Sequence, residues 1–459
     1  MIAPARRAAF EALRAVAAGQ VDLATAMASA RGVLPDVRDR ALAAEIVTGT
    51  LRWLGSLDHL IAHYARRPAD RLDEPVLHVL RLSAYQLTHL ERVPAAAVVN
   101  DAVELTKQAG ARSAAGLVNA VLRAIARDRE RLPLPPEPPA GGGAPRAALL
   151  DYLSITLSHP RWLVARWLDR VGFDAARTWA RFNNSPAPLT LRANLLRTTV
   201  PELRRALADA GVEVEPARHA PNGLIVRRGN PLRTPLAGTG VFVVQDEASQ
   251  LVASFAGARP GQRVLDLCAS PGNKTLALAA DMLDNGLIVA ADLRDRRVSL
   301  LRSTIATAGA RSVHVVRLDA TRALPLRASF DVALVDAPCS GLGTIRRDPE
   351  IRWRRTADDL PALADTQLQM LRHAAGVVAD AGRVVYATCS SEPEENDEVV
   401  RRFLDERRDF RLVDPRRLEP PPGTAPDDVL DEAGCLRTLP WRHGLEAFFA
   451  AMLVKAKHL

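Results

Sequence analysis

The chain has 459 residues, a formal net charge of +8 and a hydrophobic content of 48%, and no apolar run approaches the roughly 18 residues that a membrane helix needs. This length predicts two or three domains of a globular, cytoplasmic protein, and the N-terminal MIAPARRAAFEALRAVAAG has the spacing of an amphipathic helix rather than the apolar core of a signal peptide. The excess of positive charge, nearly all of it arginine, indicates a polyanionic partner.

Residues 1–131 are predicted to form an all-α domain. Apolar residues recur at intervals of three and four in ARRAAFEALRAVAAG, EPVLHVLRLSAYQLTHL and AAGLVNAVLRAIARD, without strand-like alternation. The stretch LPLPPEPPAGGGAPR at 132–146 predicts an unstructured linker, because proline cannot continue a helix. Residues 147–240 predict two short helices and then a strand-helix-strand unit around VPELRRALADAG, which is typical of a small α+β subdomain.

Residues 241–459 change to a repeated rhythm of strand and helix. RVLDLC, GLIVAAD, VHVVRLD, FDVALVD and GRVVYATC are short apolar runs separated by turns or helical stretches, and LEAFFAAMLVKA predicts an additional strand. This rhythm predicts a doubly wound, Rossmann-like parallel sheet. Ligands bind outside the carboxyl ends of the strands in such sheets, and Asp292, Asp319 and Asp336 are the last residues of three of these runs.

The loop after the first of these strands has the composition of a cofactor site. It is built of small residues, which allow backbone to approach a ligand closely, and it lacks the glycine spacing of pyrophosphate-binding loops. We therefore predict S-adenosyl-L-methionine, with a nicotinamide cofactor as the runner-up. Asp292 would bind the ribose hydroxyls and Asp319 the adenine amino group, although either aspartate taken alone is explained equally well as a cap or turn residue. The loop residues are Cys268, Ala269, Ser270, Pro271, Gly272, Asn273 and Lys274.

The cysteines form no CxxC pair and no His/Cys cluster, so no metal site is predicted. Taken singly, each is most simply explained as a small buried hydrophobic residue. Cys339 and Cys389 differ from Cys435 in following predicted strands, within APCS and TCS, whereas Cys435 has no motif around it. The position of Cys339, beside the strand-ending Asp336, therefore suggests a function for its thiol.

Several stretches carry a resemblance to a known family. DLCASPGNKT, DAPCSGLGTIRRDPEIRW and YATCSSEPEENDEVV closely resemble the motifs of RNA cytosine-C5 methyltransferases, and AAEIVTGTLRW, VLRLSAYQL and GLVNAVLRAIAR resemble the antitermination factor NusB. This combination is similar to the bacterial RsmB (Sun) family, which methylates a cytosine in 16S ribosomal RNA. The resemblance implies a NusB-like domain, a small α+β subdomain and a Rossmann-like class I S-adenosylmethionine-dependent methyltransferase domain.

The resemblance also implies roles for the site residues. Cys389 would be the nucleophile that adds to C6 of the cytosine, Cys339 would assist its release, and Asp336 would contact the N3/N4 edge of the flipped base. Ser270 and Asn273 depart from the family's CAAPGGKT loop. Because asparagine tolerates a left-handed backbone, we expect the loop to keep its shape.

Base flipping favours a loop or bulge of 16S ribosomal RNA as the partner of a monomeric enzyme. Basic residues and one tryptophan follow Cys339 and are predicted to contact phosphates or to stack on bases, with a solvated basic loop as the alternative. The NusB-like domain would bind RNA or protein. Two other functions stay open, namely the same reaction on tRNA or another RNA, and an RNA-binding assembly factor with a vestigial methyltransferase module. The predicted RNA-contact residues are Arg346, Arg347, Arg352, Trp353 and Arg354.

Overall fold

The computed structural model of the chain describes residues 2–139, 143–326, 329–418 and 426–457, and it divides into two compact units. Unit 1 contains Met1–Ser185 and Ile345–Arg354, and unit 2 contains Pro186–Thr344 and Arg355–Leu459. The chain therefore enters unit 1 twice. Within the described ranges, no helix is long and apolar enough to cross a bilayer.

Helices dominate unit 1 and alternate with strands in unit 2. In chain order the α-helices are α1 (Pro4–Ala17), α2 (Leu23–Val33), α3 (Val37–Arg52), α4 (Leu54–Ala65), α5 (Glu74–His89), α6 (Ala95–Gln108), α7 (Ala115–Arg127), α8 (Arg146–Asp151), α9 (Arg161–Asn184), α10 (Val200–Asp209), α11 (Glu247–Ala256), α12 (Asn273–Asp281), α13 (Asp295–Ala308), α14 (Ile351–Arg354), α15 (Asp359–Gly376), α16 (Asp397–Glu406) and α17 (Pro440–His443). The strands are β1 (Thr190–Ala193), β2 (Glu213–Pro216), β3 (Gly223–Arg228), β4 (Phe242–Val244), β5 (Arg263–Leu267), β6 (Leu287–Asp292), β7 (Val313–Arg317), β8 (Phe330–Asp336), β9 (Val378–Thr388), β10 (Phe410–Leu412), β11 (Leu436–Arg437) and β12 (Phe449–Lys455).

The all-α prediction for the N-terminal region is confirmed. The apolar faces of α1, α3, α5 and α7 share one core, to which Phe10, Ile46 and Leu122 contribute with at most 3% of their surface exposed. Helix α2 begins after Asp22, whose carboxylate accepts a hydrogen bond from the Thr25 backbone N–H at 2.7 Å. Such a cap satisfies one of the N–H groups that a helix start leaves unpaired.

Part of the predicted linker is held in place by unit 1. Thr156 Oγ1 donates a hydrogen bond to the Pro135 carbonyl at 2.7 Å, and Glu137 forms ion pairs with Arg177 and Arg181 at 2.9 and 2.7 Å. Residues 132–139 have no helix or strand, as proline predicts, but these contacts correct the expectation of a free linker. Residues 140–142 of the predicted linker lie outside the described residues.

The helical unit extends further along the chain than its sequence pattern indicates. Helices α8 and α9 belong to unit 1, which runs to Ser185, whereas the sequence predicted a separate subdomain from residue 147. Helix α9 is interrupted at Gly172, whose φ of 75° and ψ of 174° are not helical. This break accounts for the two short helices that the sequence predicted here.

A small antiparallel sheet opens unit 2. Its strand order is β2-β3-β1-β4, and α10 connects β1 to β2 along the chain. Thr199 and Glu202 form a capping box at the start of α10, since each side chain hydrogen-bonds the backbone N–H of the other residue. The small α+β subdomain is thus confirmed.

The large sheet has the order β10-β12-β9-β8-β5-β6-β7, with β11 paired to β12. Strands β5 to β9 are parallel, and β12, which the sequence predicted as an extra strand, runs antiparallel to β9. Along β8, Val332 and Leu334 pack against α11 and α12, while Ala333 and Val335 pack into the core that contains α15 and α16. Burial on both faces explains why the predicted strands are continuous apolar runs.

Candidate active site

The loops after two neighbouring strands bring a pair of thiols together. Strands β8 and β9 are hydrogen-bonded in parallel, with Asp336 opposite Ala387. The chain therefore leaves both strands at the same edge of the sheet. The Sγ atoms of Cys339 and Cys389 lie 3.2 Å apart, and both residues are half-buried. The sequence predicted both thiols for one site, and the structure places them in contact.

The pKa of one member of this pair is strongly shifted. The hydrogen bond with Cys389 raises the pKa of the Cys339 thiol well above its usual range, and burial and the nearby negative charge of Glu395 act in the same direction. A thiol in this environment keeps its proton. The assignment of Cys389 as the nucleophile stays a prediction.

Lys274 and Asp336 form an ion pair in the same part of unit 2. Lys274 Nζ lies 2.7 Å from Asp336 Oδ2, at the end of β8, and the two side chains are 13% and 26% exposed. Burial alone would lower the pKa of Lys274, but the charge of Asp336 and the hydrogen bond to it outweigh burial, so the pKa is raised. Lys274 also interacts electrostatically with Cys389. A cation therefore lies near Cys389.

The cofactor loop leaves space and polar groups for a ligand. Gly272 has φ 108°, and a Cβ on it would lie 2.9 Å from Leu301 Cδ1, so this tight turn requires glycine. The Ser270 N–H donates to Asp292 Oδ2 at 3.3 Å, at the end of β6. Ser270 Oγ is buried and has no hydrogen-bond partner within the described residues. An unpaired buried hydroxyl beside a strand-end carboxylate fits a polar nucleoside cofactor.

The role expected of Asn273 is corrected by the structure. Asn273 is the first residue of α12 and is not among the residues with positive φ, because Gly272 occupies the left-handed position. The Asn273 side chain instead donates a hydrogen bond to the Val244 carbonyl at 2.9 Å. The departure from the family loop thus adds a tie between α12 and β4, and the loop does not depend on an unusual asparagine backbone.

Asp319 lies just beyond β7, at the same edge of the sheet. Its Oδ1 accepts hydrogen bonds from the backbone N–H and the hydroxyl of Thr321, at 2.9 and 2.7 Å, and these bonds lower its pKa. The carboxylate is therefore ionised and held in a turn. Asp292 ends β6 and Asp319 follows the adjacent β7, and their roles towards a cofactor stay predictions.

The remaining cysteines lie outside the thiol pair. Cys268 directly follows β5 with φ 61°, and burial raises its pKa to about 12. Cys435 is buried in a core of unit 2, and burial likewise raises its pKa to about 12. This confirms Cys435 as a packing residue.

Sequence reasoning missed a buried carboxylate beside the thiols. Glu395 is fully buried and accepts hydrogen bonds from Ser340 and Ser390, the residues that follow Cys339 and Cys389. The sequence signal is the acidic stretch EPEEN at 392–396, within a motif that the family resemblance identifies. Ser390 is 5 positions away, but Ser340 is 55 positions away, so spacing alone could not assign the role of Glu395.

The predicted RNA-contact segment belongs to unit 1 instead of unit 2. Arg352 is fully buried, and its guanidinium donates to the Ser158 carbonyl and to Asn184 Oδ1, both at 2.9 Å. This burial contradicts the predicted phosphate contact of Arg352. The half-buried Trp353 donates its indole N–H to the Leu51 carbonyl at 2.7 Å, which indicates a packing role.

The other arginines of this segment differ in exposure. The Arg346 guanidinium carbon lies 4.3 Å from the centre of the Phe182 ring. This cation–π contact covers one face of the guanidinium group. Arg347 is half-buried and Arg354 is exposed. Contact with RNA stays a prediction for these three residues.

Comparison with known proteins agrees with this arrangement. The family model "16S rRNA methyltransferase RsmB/F" matches residues 255–454, the NusB family model matches 3–127, and the ferredoxin-like domain model of RsmF/B-like methyltransferases matches 159–233. A Bacillus subtilis protein named as a probable ribosomal RNA small subunit methyltransferase B is 34% identical over 91% of each chain.

Two further matches cover almost the full length. The ribosomal RNA small subunit methyltransferase B of Pseudomonas putida is 32% identical over 98% of each chain. The crystal structure of PH0851 is similar with a TM-score of 0.79, at 26% identity and over 99% of each chain. On this evidence the chain belongs to the RsmB/F family of S-adenosylmethionine-dependent methyltransferases, with a NusB domain at its N-terminus.

Proposed function

We propose that this enzyme transfers a methyl group to C5 of a cytosine in 16S ribosomal RNA through a covalent adduct between Cys389 and C6 of the base. The observation that carries the proposal is the contact between Cys339 and Cys389, at 3.2 Å, at the carboxyl edge of the sheet. Ribosomal RNA is proposed as the substrate because relatives that align with nearly the full length carry that substrate in their names.

The chemistry explains the need for two thiols. C5 of cytosine is a poor nucleophile, and addition of a thiolate to C6 turns the ring into an enamine with electron density on C5. The methylated adduct still carries its C5 proton and its C6–S bond. A base must remove that proton before the C6–S bond breaks and the cysteine leaves as a thiolate. One sulfur therefore attacks and the second assists release.

The surrounding charges suit these roles. Cys389 is proposed as the nucleophile because it lies near the Lys274 ammonium, which favours a thiolate. Cys339 is proposed to assist release as the base, since Cys389, once bound to C6, no longer raises the pKa of the Cys339 thiol, which can then lose its proton to solvent and take the C5 proton. Asp336, held by Lys274, is proposed to accept a hydrogen bond from the N4 amino group of the flipped cytosine, and from N3 once thiol addition has led to its protonation.

The cofactor loop is proposed to hold S-adenosylmethionine, which supplies an electrophilic methyl group when bound. The unpartnered Ser270 hydroxyl and the Asp292 carboxylate would bind its polar groups, and Asp319 its adenine. Gly272 permits the tight turn of this loop, because a Cβ there would lie 2.9 Å from Leu301 Cδ1.

Two alanine variants test the division of labour between the thiols. Wild type, Cys339→Ala and Cys389→Ala are incubated with unmodified 16S RNA and S-adenosylmethionine, and protein–RNA adducts are resolved on denaturing gels. We expect Cys339→Ala to accumulate a covalent complex, and Cys389→Ala to form none and to transfer no methyl group. Cys435→Ala, in a buried core outside the pair, is the control and should behave like wild type.

Three results would each contradict part of the proposed function. Methyl transfer by Cys389→Ala would refute the assignment of the nucleophile. If wild type modifies tRNA but not 16S RNA, the chemistry holds and the substrate is wrong. A separate binding measurement covers the third case: if wild type binds no S-adenosylmethionine, the methyltransferase module is vestigial and the chain is an RNA-binding factor.

A further inference from the structure

A buried carboxylate connects the loops of the two thiols. Glu395 Oε1 accepts a hydrogen bond from the Ser340 N–H at 2.8 Å, and Oε2 accepts from the Ser340 hydroxyl at 2.5 Å and from the Ser390 hydroxyl. The two serine hydroxyl oxygens lie 3.2 Å apart. Ser340 directly follows Cys339, and Ser390 directly follows Cys389. One side chain therefore holds both loops at the residue next to each sulfur.

A second layer of hydrogen bonds holds Glu395 itself. Gln367 Nε2 donates to Glu395 Oε1 at 2.9 Å and to the Pro338 carbonyl at 3.1 Å. The Tyr386 hydroxyl donates to Gln367 Oε1 at 3.0 Å and also to the Glu395 backbone carbonyl. Helix α15 and strand β9 thus both fix the carboxylate. A network satisfied in this way is rigid.

The charge of Glu395 has a consequence for the thiols. Within the described residues its carboxylate has only neutral hydrogen-bond donors, although burying a charge without a counter-ion costs several kcal/mol. A glutamine would fill the same space without that cost. The negative charge helps to keep the proton on Cys339, whereas the Lys274 ammonium lies near Cys389. The Glu395 charge thus acts on Cys339, and the Lys274 ammonium interacts electrostatically with Cys389.

We propose that Glu395 is a positioning residue of this active site, which holds the Cys339 and Cys389 loops together and biases the thiolate towards Cys389. The inference rests on the proposed function for its catalytic meaning. The geometry and the charge asymmetry can be measured on the protein alone. Glu395 acts through the serines and the sulfurs, and it does not contact the reacting base.

Thiol alkylation tests the bias without RNA. Wild type, Glu395→Gln and the control Glu398→Gln, which lies on α16 and pairs with Arg401 on the surface, are treated with limiting iodoacetamide across a pH series. Mass spectrometry then gives the alkylation rate of each cysteine. In wild type we expect Cys389 to react faster than Cys339. In Glu395→Gln the reaction of Cys339 should start at lower pH, and the ratio of the two rates should approach one.

Steady-state kinetics test the positioning role. A misplacement of the thiols should lower kcat of Glu395→Gln by about 10- to 100-fold with an unchanged affinity for S-adenosylmethionine. Ser390→Ala removes one tether and keeps the charge, so it should lower kcat without changing the pH at which Cys339 reacts. Ser390→Ala therefore distinguishes the effect of thiol position on kcat from the effect of the Glu395 charge on thiol reactivity. It also tests the positioning role if Glu395→Gln fails to fold.

The outcomes distinguish this proposal from the proposed function. Wild-type alkylation rates and wild-type kcat in Glu395→Gln would overturn the positioning role. If the wild-type enzyme methylates no RNA while Glu395→Gln still equalises the two thiols, the proposed function fails and the electrostatic bias stands.

Discussion

The sulfur atoms of Cys339 and Cys389 lie 3.2 Å apart although 50 positions separate them in the chain. Their approach follows from the pairing of β8 with β9, which places the two following loops side by side. Neither loop needs a long excursion to reach the other. A thiol pair at this distance has chemistry of its own, apart from any substrate.

We predict that mild oxidation converts this pair to a disulfide and reversibly inactivates the enzyme. The sulfurs need to approach by little more than 1 Å to reach the disulfide length of about 2.05 Å. With hydrogen peroxide as oxidant, both thiols lose their hydrogens and the peroxide is reduced to water. Non-reducing peptide mapping should find the Cys339–Cys389 link, and dithiothreitol should restore methyl transfer.

The control for this oxidation is Cys435→Ala, which should form the same link. Inactivation that dithiothreitol does not reverse, or a link that involves Cys268, would contradict the prediction. Cys268 has a pKa of about 12 and is a poor thiolate source.

Removal of the Lys274 ammonium is expected to slow the addition step. Lys274 neutralises Asp336 across 2.7 Å and lies near Cys389, so Lys274→Met leaves a carboxylate without its cation and a thiol without its stabilising charge. We expect a loss in kcat of about 10²- to 10³-fold, the usual cost of one electrostatic group in an active site. The addition step is measured as the single-turnover rate of adduct formation. The double variant Cys339→Ala/Lys274→Met is compared with Cys339→Ala, in which the adduct accumulates.

The matched control is Lys107→Met, at an exposed ion pair with Glu104 in unit 1. It should keep the wild-type rate of adduct formation. Equal rates in Lys274→Met and wild type would show that the ammonium has no part in thiolate formation.

Arg352 is expected to support the fold of unit 1. Its buried guanidinium satisfies the Ser158 carbonyl and Asn184 Oδ1. Arg352→Leu leaves these acceptors unpaired and should lower the free energy of unfolding by about 3 kcal/mol, as measured by urea denaturation. Arg354→Leu, at an exposed position of the same segment, should change it by less than about 0.5 kcal/mol. A fully stable Arg352→Leu with weakened RNA binding would restore the original prediction for this residue.

The sequence predicts the central strands well because each is an apolar run buried on both faces, as Val332 to Val335 in β8 illustrate. It misses β2, β4, β10 and β11, which have four residues or fewer and lack a long apolar pattern. Short strands take their structure from their neighbours, and local propensity cannot identify them.

The candidate site shows the same limit. Both cysteines, Asp336 and the cofactor loop are predictable because motif and strand end coincide. Glu395 is not, since its role depends on Ser340, which is 55 positions away. Glu137 is a parallel case outside the site, because its partner Arg177 lies 40 positions along the chain. The fold determines which residues form ion pairs and hydrogen bonds at such separations. The spacing of residues in the sequence cannot predict these contacts.

The last prediction concerns pH and the buried Asp266 in β5. Burial raises the pKa of Asp266 to about 7, and the hydrogen bond from Thr275 at 2.6 Å opposes this only in part. The folded state therefore keeps its proton at a pH where the unfolded chain has lost it. The resulting contribution to stability is complete below about pH 4 and is lost as the pH rises through 7, at about 1.4 kcal/mol for each unit.

Asp266→Asn mimics the protonated acid and should remove this part of the pH dependence, so that the variant gains stability over wild type between pH 5 and 8. Urea denaturation at a series of pH values measures the difference. Asp281, whose pKa burial also raises to about 7, remains in the variant and leaves a residual slope. Parallel pH curves for Asp266→Asn and wild type would mean that Asp266 is ionised in the folded protein. A cation or a water molecule would then contact Oδ1, the carboxylate oxygen that does not accept the Thr275 hydrogen bond.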